Sequence, residues 1–103
     1  MKETTRVFRA LADPTRRQIL QELKAGELSA GAIASKFEIS SPSISRHLAI
    51  LRAADLIIER RQGNRILYKL DGERLALCLN DFLSNVCPTQ IKYRRRAVER
   101  KAP

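Results

Sequence analysis

A short amphipathic helix predicted over Ser41–Leu51 constrains the fold more than any other segment. Pro42 suits the first helical position because it has no N–H to pair, and Ser41 is expected to cap the helix. Apolar residues recur at i, i+4 and i+7, which gives one stripe for packing on a core. These residues are Ile44, Leu48 and Leu51. Such a helix needs other elements to cover its apolar side, while its polar side stays available to solvent or a ligand.

The polar side of this helix presents short hydrogen-bonding groups beside one long cation and no carboxylate. They are Ser43, Ser45, Arg46 and His47. A second predicted helix ends near Phe37, and only a brief turn of residues 38–40 separates the two. Two short helices joined in this way are typical of a helix-turn-helix, whose second helix turns its N-terminal half toward DNA base edges.

Capping residues predict where three helices begin, among them the helix that ends near Phe37. Asp13, Ser29 and Asp71 each precede apolar residues at helical spacing, and the last of them begins a long helix from about Gly72 to Val86. A short helix containing Val7 precedes Asp13. The helix after Asp13 carries two arginines near its start, which either reach phosphates or, for at least one of them, pair with a glutamate. The arginines are Arg16 and Arg17, and the candidate glutamates are Glu22 and Glu59.

A β-hairpin is predicted after Asp55. Two runs rich in β-branched and aromatic residues, 56–62 and 65–70, flank the two-residue turn signal Gly63-Asn64. Its register stays open because Ile57 and Ile58 are both apolar. The tip is polar and cationic, with Arg60, Arg61, Gln62, Asn64 and Arg65. As a wing beside the helix-turn-helix, this tip would contact the DNA backbone or minor groove; the alternative is an edge hairpin protected by its charge.

This order of elements predicts a mainly α fold with a β-hairpin wing, a winged helix-turn-helix with flanking N- and C-terminal helices. Within it, Arg46 can donate two N–H groups to a guanine or can hold a phosphate, which carries no sequence information. His47 borders the apolar stripe, so a buried structural role, a phosphate contact and a base contact all fit. A helix face that is merely solvated is the alternative for the whole set.

The charge balance favours double-stranded DNA as the partner. Lys and Arg number 20 against 11 Asp and Glu, a net charge of +9. Residues 1–88 are expected to form the folded domain. Residues 89–103 form a basic tail that is either disordered or attracts DNA without specificity. No apolar run approaches the roughly 20 residues of a membrane span, and no signal peptide is evident, so the cytoplasm is the expected location.

Apolar residues of the first and last helices exceed what a small core absorbs. A chain of this length buries only about 60–65% of the surface that its unfolded form exposes. These residues therefore predict a homodimer interface, with simple core packing as the alternative. They are Val7, Phe8, Leu11, Leu75, Leu79, Phe82, Leu83 and Val86. A dimer can place two recognition helices about 34–36 Å apart, in successive major grooves.

Cys78 and Cys87 are the only cysteines. Nine residues along a helix correspond to about 13.5 Å of rise and opposite faces, so an intrachain disulfide would require the helix to stop before Cys87 and the chain to fold back. They are either ordinary thiols or the basis of a redox response through a bridge between two chains. One histidine and these cysteines do not make a metal site, and no catalytic constellation or cofactor motif appears, so neither an enzyme nor a cofactor is expected.

Three separated motifs, in this order, resemble the ArsR/SmtB family of bacterial winged-helix repressors. They are Ala10–Leu20, Ile44–Leu51 and Arg60–Tyr68. The runs 29–34 and 41–45 are most similar to the SdpR-like branch, whose members lack the family's metal sites. The resemblance implies a homodimeric repressor on an inverted repeat, often in its own operon, with an unknown effector. A thiol-responsive repressor and a winged helix that binds protein are the rival interpretations.

The family's metal sensors differ from this chain where their ligands lie. They carry a Cys-x-Cys at the start of the third helix, where this chain has Ser29-Ala30-Gly31. They also carry Asp, His and Glu ligands along the final helix, whereas the one histidine here is His47. The resemblance therefore implies a repressor that does not bind a metal.

Overall fold

The structure is a computed structural model that describes residues 2–87. Within that range the chain forms five helices and three strands. In chain order they are α1 (Lys2–Leu11), α2 (Pro14–Lys24), β1 (Leu28–Ser29), α3 (Ala30–Phe37), α4 (Ser41–Ala53), β2 (Ile57–Gln62), β3 (Arg65–Leu70) and α5 (Gly72–Val86). Helices α3 and α4 form the helix-turn-helix, β2 and β3 form the wing, and α1 and α5 flank them. The predicted winged helix-turn-helix is confirmed, while the tail at 89–103 lies outside the described residues.

The predicted caps of α2, α3 and α5 are confirmed. The side-chain oxygens of Asp13, Ser29 and Asp71 each accept a hydrogen bond from the backbone N–H three residues later, at 3.1 Å in every case. Each bond satisfies one of the donors that a helix leaves unpaired at its start. The boundaries of these helices are therefore set by local chemistry.

The predicted cap of α4 is wrong by one residue. Ser40, rather than Ser41, precedes the helix, and its Oγ accepts from the N–H of Ser43 at 3.4 Å. The Ser40 carbonyl already accepts the helical bond from the N–H of Ile44 at 3.1 Å, which makes Ser40 the capping residue. Pro42 then occupies the second helical position, and the side chain of Ser41 is exposed.

The wing belongs to a three-stranded antiparallel sheet in the order β1-β3-β2. Strand β1 was not predicted, because two residues are too short to show an alternating pattern. It pairs with the middle of β3, where Leu28 lies opposite Tyr68. The predicted turn is confirmed: Gln62 lies opposite Arg65, and Gly63 has a φ of +62°, a left-handed conformation that glycine adopts readily.

The register of the hairpin is settled by burial. Ile57 lies opposite Leu70 and is buried in the core, whereas Ile58 lies on the other face and is 48% exposed. Because side chains alternate along a strand, Glu59 and Arg61 share the face of Ile57, and Arg60 shares the face of Ile58. The two neighbouring arginines of β2 therefore point to opposite sides of the wing.

The hydrophobic core lies between the helices and the base of the wing. Its fully buried members come from α1, α2, α3, α4 and the loop before β2. The largest are Val7, Ile19, Ile33, Ile44, Leu51 and Leu56. Val7 was predicted to face a second chain, and that prediction is wrong: its side chain is 0% exposed because α1 packs against α2 and α4. No helix within residues 2–87 has the length and apolar character needed to cross a membrane.

Candidate nucleic-acid interface

Helix α4 buries one side and exposes the other. Ile44, Leu48 and Leu51 are at most 2% exposed, which confirms the predicted apolar stripe. The helical period determines where the other side chains of α4 lie around its axis. Pro42, Ser45, Arg46 and Ala49 are exposed on the opposite side, and Ser43 and His47 are half-buried along one flank. The hydroxyl-bearing face is therefore accessible, as a recognition helix requires.

The polar groups of α4 differ in how free they are. Within residues 2–87 the Arg46 guanidinium has no hydrogen-bond or ion-pair partner. The Ser43 hydroxyl accepts a 3.0 Å hydrogen bond from that of Ser40. Arg46 can therefore meet a base or a phosphate without first breaking a contact in the described part of the chain, whereas Ser43 is already oriented by the cap.

The wing divides its predicted DNA contacts between two faces. Arg61 and Arg65 are exposed and have no ion-pair partner among residues 2–87. Arg60 instead donates two hydrogen bonds to the Glu27 carboxylate, at 2.8 and 2.9 Å. The hydrogen bond from Arg60 lowers the pKa of Glu27, and Glu27 in turn raises the pKa of Arg60. The Arg60 guanidinium thus fastens the wing to the residue before β1.

The contact between Glu27 and Arg60 could not be predicted without β1. Thirty-three positions separate the two residues along the chain. The pairing of β1 with β3 brings Glu27 beside the wing, and no local pattern marks β1 as a strand. The bidentate geometry is the arrangement in which arginine and a carboxylate bind most strongly.

A second ion pair joins the recognition helix to the wing. Arg52 of α4 donates to the Glu59 carboxylate of β2, and the Tyr68 hydroxyl donates to the same oxygen at 3.4 Å. Burial raises the pKa of Tyr68, and the charge and hydrogen bond of Glu59 add to that effect. Neither Arg52 nor Tyr68 was predicted as a site residue. These side chains line a cleft of about 160 Å³ together with Ser45, Leu48 and Ala49.

The two arginines of α2 bind backbone rather than carboxylates. Arg16 donates to the carbonyls of Ala10 and Arg9 at 2.8 and 3.0 Å, and Arg17 donates to the carbonyl of Leu11 at 2.6 Å. The last carbonyls of a helix lack intrahelical partners and carry partial negative charge, which suits a cation. The predicted pairing with Glu22 or Glu59 is therefore wrong: those carboxylates are bound by Lys36 and Arg52.

His47 lies in a polar cluster at the start of α2. Its Nδ1 lies 3.3 Å from Nη1 of Arg16 and 4.0 Å from the Asp13 carboxylate. The backbone hydrogen bond from Arg16 is the main cause of a lowered pKa at Asp13. These contacts with the start of α2 hold the histidine on one flank of α4. Its side chain keeps 19% of its surface exposed.

Helix α5 leaves much of its apolar side uncovered. None of its residues is buried, and Leu77, Phe82 and Val86 are 63%, 41% and 59% exposed. Phe8 of α1 contacts Phe82 edge to face, with ring centroids 4.9 Å apart, and is itself 37% exposed. The other predicted interface residues, Leu11, Leu75, Leu79 and Leu83, are half-buried. Apart from Val7, the predicted interface residues therefore keep accessible surface.

Cys78 and Cys87 are both free and half-buried. Cys78 packs against the core, and the backbone N–H of Cys87 donates to the Leu83 carbonyl at the end of α5. Within residues 2–87 no three His, Cys, Asp or Glu side chains come together as a metal site. A redox response of these thiols stays a prediction, to be tested by comparing DNA affinity with and without oxidant in a Cys78→Ser variant.

An exposed polar helix beside a cationic wing defines the winged helix-turn-helix class of DNA-binding proteins. A helix-turn-helix domain model matches residues 11–60. The transcriptional repressor SdpR of Bacillus subtilis is 49% identical over 78 residues, covering 76% of this chain and 87% of that protein. The regulator Rv2034 of Mycobacterium tuberculosis is 41% identical over 76 residues, 74% and 71% of the two chains.

A solved structure shows the same architecture. The ArsR-like transcriptional regulator from Rhodococcus sp. RHA1 aligns with a TM-score of 0.76 and 31% identity, covering 98% of this chain and 93% of that one. The chain belongs to the ArsR/SmtB family and is a DNA-binding transcriptional repressor, a class without enzymatic activity. The family predicted from the three motifs is confirmed.

Proposed function

We propose that two copies of this chain bind an inverted-repeat operator near their own gene in the cytoplasm and block transcription there. The observation that carries the proposal is the accessible polar face of α4, on which Arg46 has no partner among residues 2–87. A guanidinium in this position can donate to O6 and N7 of a guanine in the major groove. Ser43 and Ser45 flank it and suit adjacent bases.

The wing and the ends of α4 supply backbone contacts in this proposal. Arg61 and Arg65, which have no ion-pair partner among residues 2–87, hold phosphates or the minor groove, with Gln62 and Asn64 beside them. Ser41 lies at the start of α4, where hydroxyls commonly bind phosphate oxygens. Arg60 contributes less, because leaving Glu27 for a phosphate exchanges one charge-assisted contact for another.

Homodimerisation through α1 and α5 is supported by the uncovered apolar side of α5. Phe82 and Val86 lie four positions apart, and so on one side of a helix of which no residue is buried. A contiguous apolar face of this kind is typical of an interaction surface. A second copy covers it and brings two recognition helices to one face of the DNA, which makes the second contact intramolecular and raises overall affinity.

Fluorescence anisotropy on two duplexes tests the proposal. One duplex is the DNA upstream of the gene, and the other is a scrambled sequence of equal length and composition, each measured at two salt concentrations. For each copy bound, we expect Arg46→Ala to weaken binding to the upstream duplex by about 5- to 150-fold, which corresponds to about 1–3 kcal/mol, and to spare the scrambled duplex.

Arg61→Ala is the matched control, since it also removes a guanidinium that has no partner within residues 2–87. It should weaken both duplexes alike and reduce the slope of log affinity against log salt by roughly 0.9 for each copy bound. Arg60→Ala should have a smaller effect than Arg61→Ala, because its side chain is bound to Glu27. Equal losses on both duplexes for Arg46→Ala would refute base reading by this residue, and equal affinity of the unchanged protein for both duplexes would refute the operator.

A further inference from the structure

Arg16 connects three elements through one planar side chain. Its Nε donates to the Ala10 carbonyl and its Nη2 to the Arg9 carbonyl, both at the end of α1. Its Nη1 lies 3.3 Å from Nδ1 of His47 on α4. The two carbonyl contacts fix the plane and direction of the guanidinium. The third nitrogen is therefore held facing the imidazole.

This contact determines which ring nitrogen of His47 carries the proton. A guanidinium has five N–H donors and no acceptor, so Nδ1 must accept the hydrogen bond from Arg16. A neutral imidazole that accepts at Nδ1 carries its proton on Nε2. Within residues 2–87, Nε2 of His47 has no hydrogen-bond partner. No buried side-chain nitrogen or oxygen in that range lacks a partner. Nε2 is therefore not buried and reaches solvent.

Asp13 favours the other tautomer of His47. Its carboxylate lies 4.0 Å from Nδ1 of His47 and can only accept, so in the absence of Arg16 it would favour a proton on Nδ1. Nε2 would then be an acceptor and would repel a phosphate oxygen. Arg16 and Asp13 thus favour opposite tautomers of one side chain, and Arg16 is within hydrogen-bond distance while Asp13 is not.

We propose that Arg16 is a positioning residue for DNA binding, which fixes His47 as the Nε2–H tautomer and makes it a hydrogen-bond donor to a DNA phosphate oxygen. This inference rests on the proposed function of α4 as the recognition helix. A half-buried flank of such a helix faces the sugar-phosphate backbone at the groove's edge, where donors to phosphate fix the register of the protein. Arg16 itself does not contact the DNA in this proposal.

The tautomer can be measured in the free protein. His47 is the only histidine of the chain, so its imidazole signals cannot overlap with those of another histidine. Long-range ¹H–¹⁵N spectra at mildly alkaline pH, where imidazoles are neutral, should show an unprotonated Nδ1 and a protonated Nε2. A protonated Nδ1 in the unchanged protein would overturn the proposal without any DNA being added.

Three variants isolate the role of Arg16 in that spectrum. Arg16→Met should shift the tautomer toward a protonated Nδ1, because Asp13 is then the nearest polar group. Arg17→Met removes a similar contact to the end of α1 but leaves the histidine alone, so the tautomer should not change. Asp13→Asn keeps a good capping residue and should also preserve the Nε2–H form. If Arg16→Met does not fold, Arg16→Lys takes its place, since lysine lacks the planar fork of donors that reaches both carbonyls and the imidazole, and the same shift of the tautomer is expected.

A double-mutant cycle on DNA completes the test. Arg16→Met should weaken binding to the upstream duplex about 10-fold, the loss expected for one hydrogen bond to a charged group. In a His47→Gln background the amide N–H replaces Nε2–H as a donor without depending on a tautomer, and the same change should weaken binding less than about 2-fold. Equal losses in both backgrounds would overturn the proposal, whereas failure of the unchanged protein to prefer the upstream duplex would overturn the proposed function instead.

Discussion

Helices α4 and α5 share one sequence pattern but differ in whether their own chain buries their apolar side. Both follow a capping side chain, and they run for 13 and 15 residues with an apolar stripe along one side. The stripe of α4 is buried in its own chain, with Leu51 0% exposed, whereas α5 leaves Phe82 41% and Val86 59% exposed. An amphipathic pattern therefore tells which side of a helix will be covered, but it does not tell whether the same chain covers it.

The comparison predicts that replacing leucine by alanine has a large effect on stability in α4 and a small one in α5. Leu51→Ala should lower the free energy of unfolding by about 2–5 kcal/mol, because it leaves a cavity among fully buried neighbours. Leu77→Ala in α5 removes the same atoms from a side chain that is 63% exposed, and in dilute protein it should change stability by only about 0.5 kcal/mol. Denaturant titration measures both. A large, concentration-independent loss for Leu77→Ala would mean that α5 is already covered within the chain.

The dimer itself is tested more directly at Phe82. Phe82→Ala removes the ring that contacts Phe8 and should weaken self-association about tenfold or more, since buried aromatic rings dominate such interfaces. Sedimentation velocity over a dilution series gives the dissociation constant. Asn80→Ala, on an exposed position of the same helix, is the control and should leave association unchanged. An unchanged sedimentation profile for Phe82→Ala would place the interface elsewhere.

The start of α4 provides a finer test, because two neighbouring serines differ in role. Ser40→Ala removes the oxygen that accepts from the N–H of Ser43 and should cost about 1 kcal/mol of stability. Ser41→Ala should cost close to nothing, since its side chain is exposed and caps no donor. Thermal unfolding of the two variants decides the matter, and a reversed order would restore Ser41 as the cap.

The smallest expected effect concerns Glu27, which pairs with Arg60 of the wing. Because Arg60 lowers the pKa of Glu27 in the folded chain, the ion pair stabilises the fold at neutral pH, and that stabilisation is lost as the pH falls below the ordinary carboxyl range and through the lowered pKa. The difference in stability between the unchanged protein and Glu27→Gln should therefore shrink on acidification. The pair is exposed, so the difference is small even at neutral pH. A difference that grows at low pH would contradict this assignment.

Most of the fold was predictable because its boundaries are local. Asp13, Ser29 and Asp71 cap helices within three residues of themselves, and Gly63-Asn64 encodes its own turn. What could not be predicted depends on elements that meet in space. Val7 and Phe8 are adjacent and equally apolar, and only the packing of α1 on α2 and α4 decides that the first is buried.

The candidate site also has a part that was predictable from the sequence and a part that was not. The exposed face of α4 follows from helical periodicity, so Ser45 and Arg46 were found from the sequence. The partners of Arg16 and Arg60 were missed because they lie 31 and 33 positions away at His47 and Glu27. Both contacts need tertiary proximity that no spacing rule supplies.

The ion pair between Arg52 and Glu59 has a mechanical consequence. Because it joins the recognition helix to the first strand of the hairpin, it restrains the span between them. A duplex must match that span when both parts engage, so a sequence whose backbone narrows or bends easily gains an advantage even at base pairs that no side chain contacts. We expect such a protein to respond to the local shape of DNA as well as to its base sequence.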